Sequence, residues 1–373
     1  MRFLTAGESH GRCLVGILEG IPAGLRLDKN DIDQELALRQ KGYGRGPRMK
    51  IEKDKVEILS GLRRAKTIGS PIALLIRNND FKINKLPAVL HPRPGHADLA
   101  GCLKYDSKDI RDVLERASAR ETAMRVAIGA ICKGFLREFK IALVNHVLRI
   151  GQAWAHTERL NFEQIRQRVA HSVLSCADKT AENRMITEID KAQAQGDSLG
   201  GVFAVMAINL PVGLGSYVHW DRRLDGVISG ALMSIPAIKG VEIGSGFLGA
   251  FQSGSQVQDA IFYNQAKSFY RRTNYAGGLE GGVTNGEPLV VRCAMKPIAT
   301  LRSPLPSVNI KSKRLAKAAV ERADVCAVPA ASIVGEAVVS FCLAQAFLEK
   351  FGGDSLAETK RNHQGYVKQI KTF

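Results

Sequence analysis

Short stretches rich in apolar and β-branched residues, bounded by polar or glycine-containing segments, predict strands at residues 2–5, 14–18, 56–59, 72–76, 141–148, 202–210 and 289–294. Helical spacing predicts helices over 32–39, 121–139, 186–194, 224–235 and 333–351. The run RVAIGAICKGF, residues 125–135, is apolar around most of a helix circumference, as expected of a helix buried between layers. Strands and helices mix without the strict alternation of a doubly wound sheet. The pattern therefore predicts an α+β fold, with helices packed against antiparallel sheets. No break in composition divides the chain, so residues 1–355 read as one unit. The polar, basic stretch 356–373 reads as a loose C-terminal tail.

Of the 373 residues, 45% are hydrophobic, enough for a sizeable core. No apolar run is read as reaching the ~18 residues that cross a bilayer, and the N-terminus lacks a secretory layout. The seven cysteines are scattered without a C-x-x-C pair, which suits reduced cytoplasmic thiols and no metal site. The net charge of +17 changes the picture, because it calls for an anionic partner. Residues 41–66 hold nine Lys or Arg and three acids. In GYGRGPRMK, Arg45 and Arg48 alternate with glycine and proline, and aromatics are only 6% of the chain. Single-strand nucleic-acid binders stack bases on aromatics. A glycine-rich basic loop suits a small anion better, although a plain solvated loop accounts equally well for the segment alone.

Candidate chemistry gathers in four segments. GESHG, residues 7–11, has nucleophile-elbow spacing, but too few residues precede Ser9 to build the sheet such an elbow stands on. A glycine turn presenting Ser9 and His10 remains, and an imidazole there can deliver a proton near neutral pH. In HPRPGHADLAG, residues 91–101, prolines and glycine keep His91 and His96 off a common helix face, which argues against a metal pair. His96 beside Asp98 is an oriented acid–base group or a hydrogen-bonded loop histidine, and spacing favours the second. Ser118 and Glu121 form an S-x-x-E capping box before a long helix, with Arg116, Arg120 and Arg125 close to its anion-attracting start. The loop NYAGGLEGGVTNGE, followed by Lys296, brings backbone close to a planar or phosphorylated ligand or is simply a hairpin. GSGFLG, residues 244–249, matches a dinucleotide motif, but the residues after it are a poor start for the helix that motif must open.

Taken in order, GESHG, RQKGYGRGPRMKIEKDKVEILSG, RPGHADL, RASARETAMRVAIGAI, DSLGG, LMSIPAIKGVEIGSGF, AGGLEGGVTNGEP and KPIATLRSPLPSV resemble the chorismate synthases, from residue 1 to roughly 351. The resemblance implies a cytoplasmic lyase of aromatic amino acid biosynthesis, with residues 1–355 as a single catalytic domain. It implies 1,4-anti elimination of phosphate from 5-enolpyruvylshikimate 3-phosphate, giving chorismate. It further implies a β-α-β sandwich, a homotetramer, a requirement for reduced FMN, and NADPH as a candidate reductant, with neither nucleic acid nor membrane as partner. His10 is then expected to protonate the departing phosphate, His96 to supply a proton near the flavin, and Asp324 to help remove the ring proton. Ser9, Arg39, Arg45 and Arg48 match substrate positions, with Arg39 and Arg45 also assigned to NADP. Arg116, Ala117, Ser118, Pro236, Ala237, Gly281, Lys296, Pro297, Ile298, Ala299, Thr300 and Arg322 match flavin contacts.

The chain departs from the family's Gly-Arg-His-Asp-Pro-Cys at residues 321–326, which read ERADVC. Arg322, Asp324 and Cys326 remain, whereas Glu321, Ala323 and Val325 replace glycine, histidine and proline. A different backbone shape is expected there. Two rival readings are a basic nucleic-acid binder, whose binding would be strongly salt-dependent, and a flavin oxidoreductase, for which no convincing dinucleotide motif is present.

Overall fold

Burial alternates along Ile72–Arg77, where Ile72, Leu74 and Ile76 are buried and the residues between them face outward. This strand belongs to a four-stranded antiparallel sheet. Its members are β1 (Arg2–Ala6), β2 (Cys13–Glu19), β3 (Val56–Ile58) and β4 (Ile72–Arg77), in spatial order β1-β2-β4-β3. The computed structural model describes residues 1–46, 51–266, 268–321 and 324–373. A second antiparallel sheet contains β5 (Ala142–Ile150), β6 (Ala153–Trp154), β7 (Gly201–Ile208), β8 (Ile238–Ile243) and β9 (Leu289–Met295). Its order is β8-β9-β7-β5-β6.

The helices between the sheets include α1 (Lys29–Gln40), α4 (Thr122–Arg137), α7 (Leu224–Met233) and α8 (Val328–Phe351). Peripheral to them are α2 (Asp98–Tyr105), α3 (Ile110–Ala117), α5 (Phe162–Ala170), α6 (Lys179–Gln195) and α9 (Leu356–Lys371). Missing side chains bring the layers together. Gly16 of β2 lies under the Met124 side chain, and Gly335 of α8 lies under the Phe203 ring of β7. The α+β sandwich with central helices is therefore as expected, in a β-α-β arrangement.

The closest approach is between the two central helices themselves. A Cβ at Gly129 would lie 2.4 Å from Ala337 Cβ and 2.5 Å from its Cα. Near this contact a polar cluster is buried. Lys133 Nζ of α4 lies 2.6 Å from Glu35 Oε1 of α1 and 2.7 Å from Glu336 Oε1 of α8. Asn145 donates to the same Glu336 and accepts from Ser332 Oγ at 2.7 Å. Burial alone would push the lysine pKa down, but the two carboxylates hold it above the ordinary value.

Several expectations need correction. Residues 356–373 are not a loose tail, because Leu356–Lys371 is a helix capped by Ser355. Its His363 ring packs 5.0 Å from Phe351 and 5.4 Å from Phe139, and Asn362 Nδ2 donates to Phe351 O at 2.8 Å. One apolar helix, Val328–Phe351, is long enough by composition to cross a membrane, but 83% of its most apolar window is buried within the protein. It starts five residues earlier than predicted, with Pro329 in its first turn, where the missing N–H and fixed φ suit a helix start. Ser118 caps only the short 3-10 turn 119–121, and the Glu121 side chain turns to Thr5 and Arg125 instead of closing a capping box. The last four residues of GSGFLG form the short helix Gly246–Gly249 and a second four-residue helix, Gly254–Val257, follows, so the segment opens no long helix. All seven cysteines are free, and six of them are buried.

We expect Gly129→Val to destabilise the fold by about 3 kcal/mol or more, since neither helix backbone has room to retreat. A urea midpoint unchanged at constant slope would show that the helices move apart freely.

Candidate active site

The turn that joins β1 to β2 needs a left-handed residue at once. Gly7 supplies it, with φ 110°, and a Cβ there would lie 2.4 Å from Cys13 O. Asn78, just beyond β4, ties the turn from below by donating to Gly11 O at 2.8 Å and Glu8 O at 3.1 Å. Ser9 N donates to Glu115 O at 2.9 Å. His10 is 8% exposed, so nearly all of its ring contacts are to protein. Its Nδ1 meets Glu115 Oε1 at 2.8 Å, its backbone N donates to Glu115 Oε2 at 2.7 Å, and its Nε2 is 3.7 Å from Asp80 Oδ2. Burial works to raise the Glu115 carboxyl, but the hydrogen bonds from His10 hold it below the ordinary glutamate value. An ionised Glu115 accepts, so Nδ1 carries the proton and Nε2 is turned away from it.

His96 is built the same way on another wall. Its Nδ1 lies 2.5 Å from Asp98 Oδ1. Arg93 grips the same carboxylate, with Nε 2.8 Å from Oδ2 and Nη2 2.9 Å from Oδ1. Arg93 Nη1 then donates to Thr300 Oγ1 at 2.7 Å. Burial opposes ionisation of Asp98, but His96 and Arg93 hold its carboxyl far below the ordinary range. Spacing had favoured a plain loop histidine; the geometry is that of an oriented one.

The arginines are tied from behind. Arg120 donates through Nη1 to both oxygens of Asp54, at 2.6 and 2.8 Å, and through Nε to Asn78 Oδ1 at 2.9 Å. Arg39 donates to Thr122 Oγ1 at 3.1 Å and Ala119 O at 3.0 Å. Its Nη1 is buried with no hydrogen-bond partner among the described residues, 3.6 Å from Asp54 Oδ2. Burial pushes the Arg39 guanidinium down to about 10, against the pull of Asp54. In the glycine-rich loop, Arg45 Nη1 is 3.0 Å from Asp324 Oδ2, and Gly46 N donates to Asp324 Oδ1 at 2.6 Å. The loop is docked by Val325 N, which donates to Gly44 O at 2.8 Å.

These groups share one cavity of about 290 Å³. Of the expected residues, Ser9, His10, Arg39, Arg45, His96, Ala117, Ser118, Pro236, Ala237, Lys296, Ile298, Ala299, Thr300 and Asp324 line it. Arg93, Arg120 and Glu321 line it as well and were not among the expected site residues. Arg93 sat in the quoted RPGHAD motif, and only its bond to Asp98 marks its importance. Arg116 lies behind the cavity, donating to Gly7 O and Thr5 O at 3.1 Å, so it supports the His10 turn. Gly281 is in the turn of the hairpin joining Leu279–Glu280 to Val283–Thr284, away from the lining, and Pro297 is also outside it. Arg48 and Arg322 lie outside the described residues.

A family model described as chorismate synthase matches residues 1–348. The chorismate synthase of Desulforudis audaxviator is 55% identical over 383 residues, spanning 100% of this chain and 98% of that protein. That of Aquifex aeolicus is 52% identical, spanning 100% and 99%. A crystal structure of a chorismate synthase superposes with a TM-score of 0.84 at 46% identity, covering 100% of this chain and 98% of that one.

Asp98→Asn should cost about 3 kcal/mol at neutral pH by leaving Arg93 without its buried carboxylate. The Asp98 carboxyl is depressed in the folded state. Its contribution is therefore fully present above the unfolded value near 4 and is lost as pH falls below it. Urea unfolding should thus show a constant difference between variant and parent from pH 8 to about 5 and a shrinking one below about 4.

Proposed function

The chain belongs to the chorismate synthase family, lyases that convert 5-enolpyruvylshikimate 3-phosphate to chorismate with loss of phosphate, and we propose that the cavity described above is where its own side chains carry out that reaction. One observation carries the proposal. Two histidines, each held at Nδ1 by a buried carboxylate, line a single cavity together with four guanidiniums.

The substrate has two carboxylates and a phosphate. Arg39, Arg45 and Arg120 offer fixed cations for them, already oriented by Asp54, Asp324 and Asn78, and Ser9 adds a hydroxyl. Donors organised before the substrate arrives stabilise developing charge without reorganisation. His10 donates a proton through Nε2 to the departing phosphate oxygen, which makes phosphate a better leaving group. Glu115 keeps the ring aligned and stabilises the imidazolium before transfer. The C–O bond to phosphate breaks, a ring C–H bond breaks, and a new double bond forms. Asp324, held by Arg45 and Gly46 N, is the carboxylate we assign to help take up the ring proton.

The residues present fit reduced FMN. Arg39 Nη1, buried without a hydrogen-bond partner among the described residues, suits an anionic oxygen. Leu114, Ala117, Pro236, Ala237 and Ala299 give an apolar wall for a flat ring, with Lys296 Nζ held at Gly95 O, 2.8 Å away. Ala117, Ser118 and the 296–300 segment would hold it, and His96 would supply a proton beside it. When bound, reduced FMN supplies electron density that the elimination borrows and returns. Arg39 and Arg45 also offer anchors for NADPH as reductant. A cytoplasmic homotetramer is part of the same reading. Leu4 and Ile17, opposite each other in register, are 73% and 43% exposed on the outer face of the first sheet, a surface suited to a neighbouring subunit.

An anaerobic assay with 5-enolpyruvylshikimate 3-phosphate and chemically reduced FMN should release chorismate and phosphate in equal amounts over many turnovers per flavin. Reductant consumed in step with product would instead support a net oxidoreductase. We further expect His10→Ala to lower kcat about 100-fold or more while FMN affinity changes less than about threefold. Unchanged turnover would remove His10 from the mechanism.

A further inference from the structure

Glu321 is one of the positions at which the Asp324 loop departs from the family pattern. It sits on the cavity wall, an unusual place for a carboxylate in a site for anions. Its charge is taken up by Arg111 of α3, whose Nη2 donates to Glu321 Oε1 at 2.9 Å. Arg111 is 7% exposed, and its Nε reaches Pro87 O at 3.3 Å. Its Nη1 has no hydrogen-bond partner among the described residues and lies 3.9 Å from Glu115 Oε1. That same oxygen faces His10 Nδ1 at 2.8 Å. Glu321, Arg111, Glu115 and His10 therefore form one line of alternating charge that joins the Asp324 loop to the histidine turn.

We propose that Glu321 is a positioning residue for His10. It holds the Arg111 guanidinium on its own side, so that Glu115 Oε1 stays with the His10 N–H, and it offsets the Arg111 charge. Two effects of removing the carboxylate have the same sign. Arg111, released from Glu321, is drawn toward Glu115 and competes with His10 for Oε1. The uncompensated cation also disfavours the protonated imidazole. Among the described residues, the other charged groups near His10 make no ion pair with Glu321, which is paired with Arg111. They are Asp80, paired with Lys82 at 2.7 Å, Glu8 of the same turn, Glu52 below Arg120, and the cavity guanidiniums of Arg39, Arg45, Arg93 and Arg120. The consequence for turnover rests on His10 acting as the acid, as proposed above.

The test is an NMR titration of the full-length protein labelled at histidine Cε1, with the His10 resonance identified by its loss in His10→Asn. Glu321→Gln should lower the His10 midpoint by about half a pH unit, on the order of one screened charge at roughly 10 Å. Glu321→Asp should recover part of the shift, and in an Arg111→Gln background Glu321→Gln should keep only the direct through-space part, less than about half of it. A midpoint in folded Glu321→Gln within about 0.1 unit of the parent overturns the proposal. So does a shift of undiminished size without Arg111. Should Glu321→Gln not fold, Glu321→Gly is read by the same criteria. The high-pH limb of the kcat profile, recorded on the same variants, should move down with the midpoint. If the midpoint moves and the limb does not, the assignment of His10 as the acid fails while the role of Glu321 stands.

Discussion

Where Gly129 of α4 meets Ala337 of α8, the two helices approach with only the Ala337 methyl at the contact, and the location of the active site follows from that contact. Both helices begin at the cavity. Residues 117–120 lie just before α4, and Asp324 and Ala327 lie just before α8. Fixing the helices against each other therefore fixes two walls of the site. The Lys133 cluster adds a directional constraint, because its bonds to Glu35 and Glu336 are satisfied only when α1, α4 and α8 are in register. A buried charge cluster of this sort is a weak source of net stability and a better source of specificity. Here the dense apolar packing around it supplies the former.

The cavity concentrates positive charge without becoming unfoldable. Arg93 is paid with Asp98, Arg120 with Asp54 and Arg45 with Asp324, and in the first two pairs the carboxylate is buried. Each acid neutralises its cation in the free protein and fixes the direction in which remaining N–H groups point. Arg39 is the exception. Among the described residues, its nearest carboxylate, Asp54, is 3.6 Å away, and burial outweighs that attraction. An anion reaching Arg39 would meet a cation that has already lost most of its water and little of its charge, which favours binding there over any exposed lysine.

Much of this was legible in the amino-acid order. Most strands of the two large sheets, and the buried character of residues 125–135, follow from the apolar pattern, because each element buries one face or all of itself, whereas Ala153–Trp154 is two residues long and carries no such signal. The amphipathic outer helices were harder. Asp98–Tyr105 and Ile110–Ala117 are eight residues each, too short for a clear period. Leu356–Lys371 is mostly polar and owes its docking to the His363 ring and buried Thr359. At the site, His10 and His96 stood out by their glycine-rich settings. Their partners did not, because Glu115 is 105 residues from His10 in sequence and reaches it only through the fold. Glu321 was visible as an anomaly, whereas its partner Arg111 had nothing in its local sequence to mark it.

The two carboxylate–histidine pairs look alike but are not equivalent. Asp98 is clamped by two nitrogens of Arg93 within 2.9 Å, so much of its charge is spent on that guanidinium. Among the described residues, Glu115 has its nearest guanidinium nitrogen at 3.9 Å, and that guanidinium is shared with Glu321. More of the Glu115 charge is therefore left for the His10 ring. Glu115 also accepts the backbone N–H of His10, so the main chain and the ring are held by one side chain. An imidazole that must carry a proton to a leaving group benefits from an ionised partner that is only weakly committed elsewhere. An imidazole that must present its proton in one fixed direction beside a flat ring benefits from a partner clamped from the other side. The difference between the two pairs thus matches the different work proposed for His10 and His96, and it arises from where one arginine sits relative to each carboxylate.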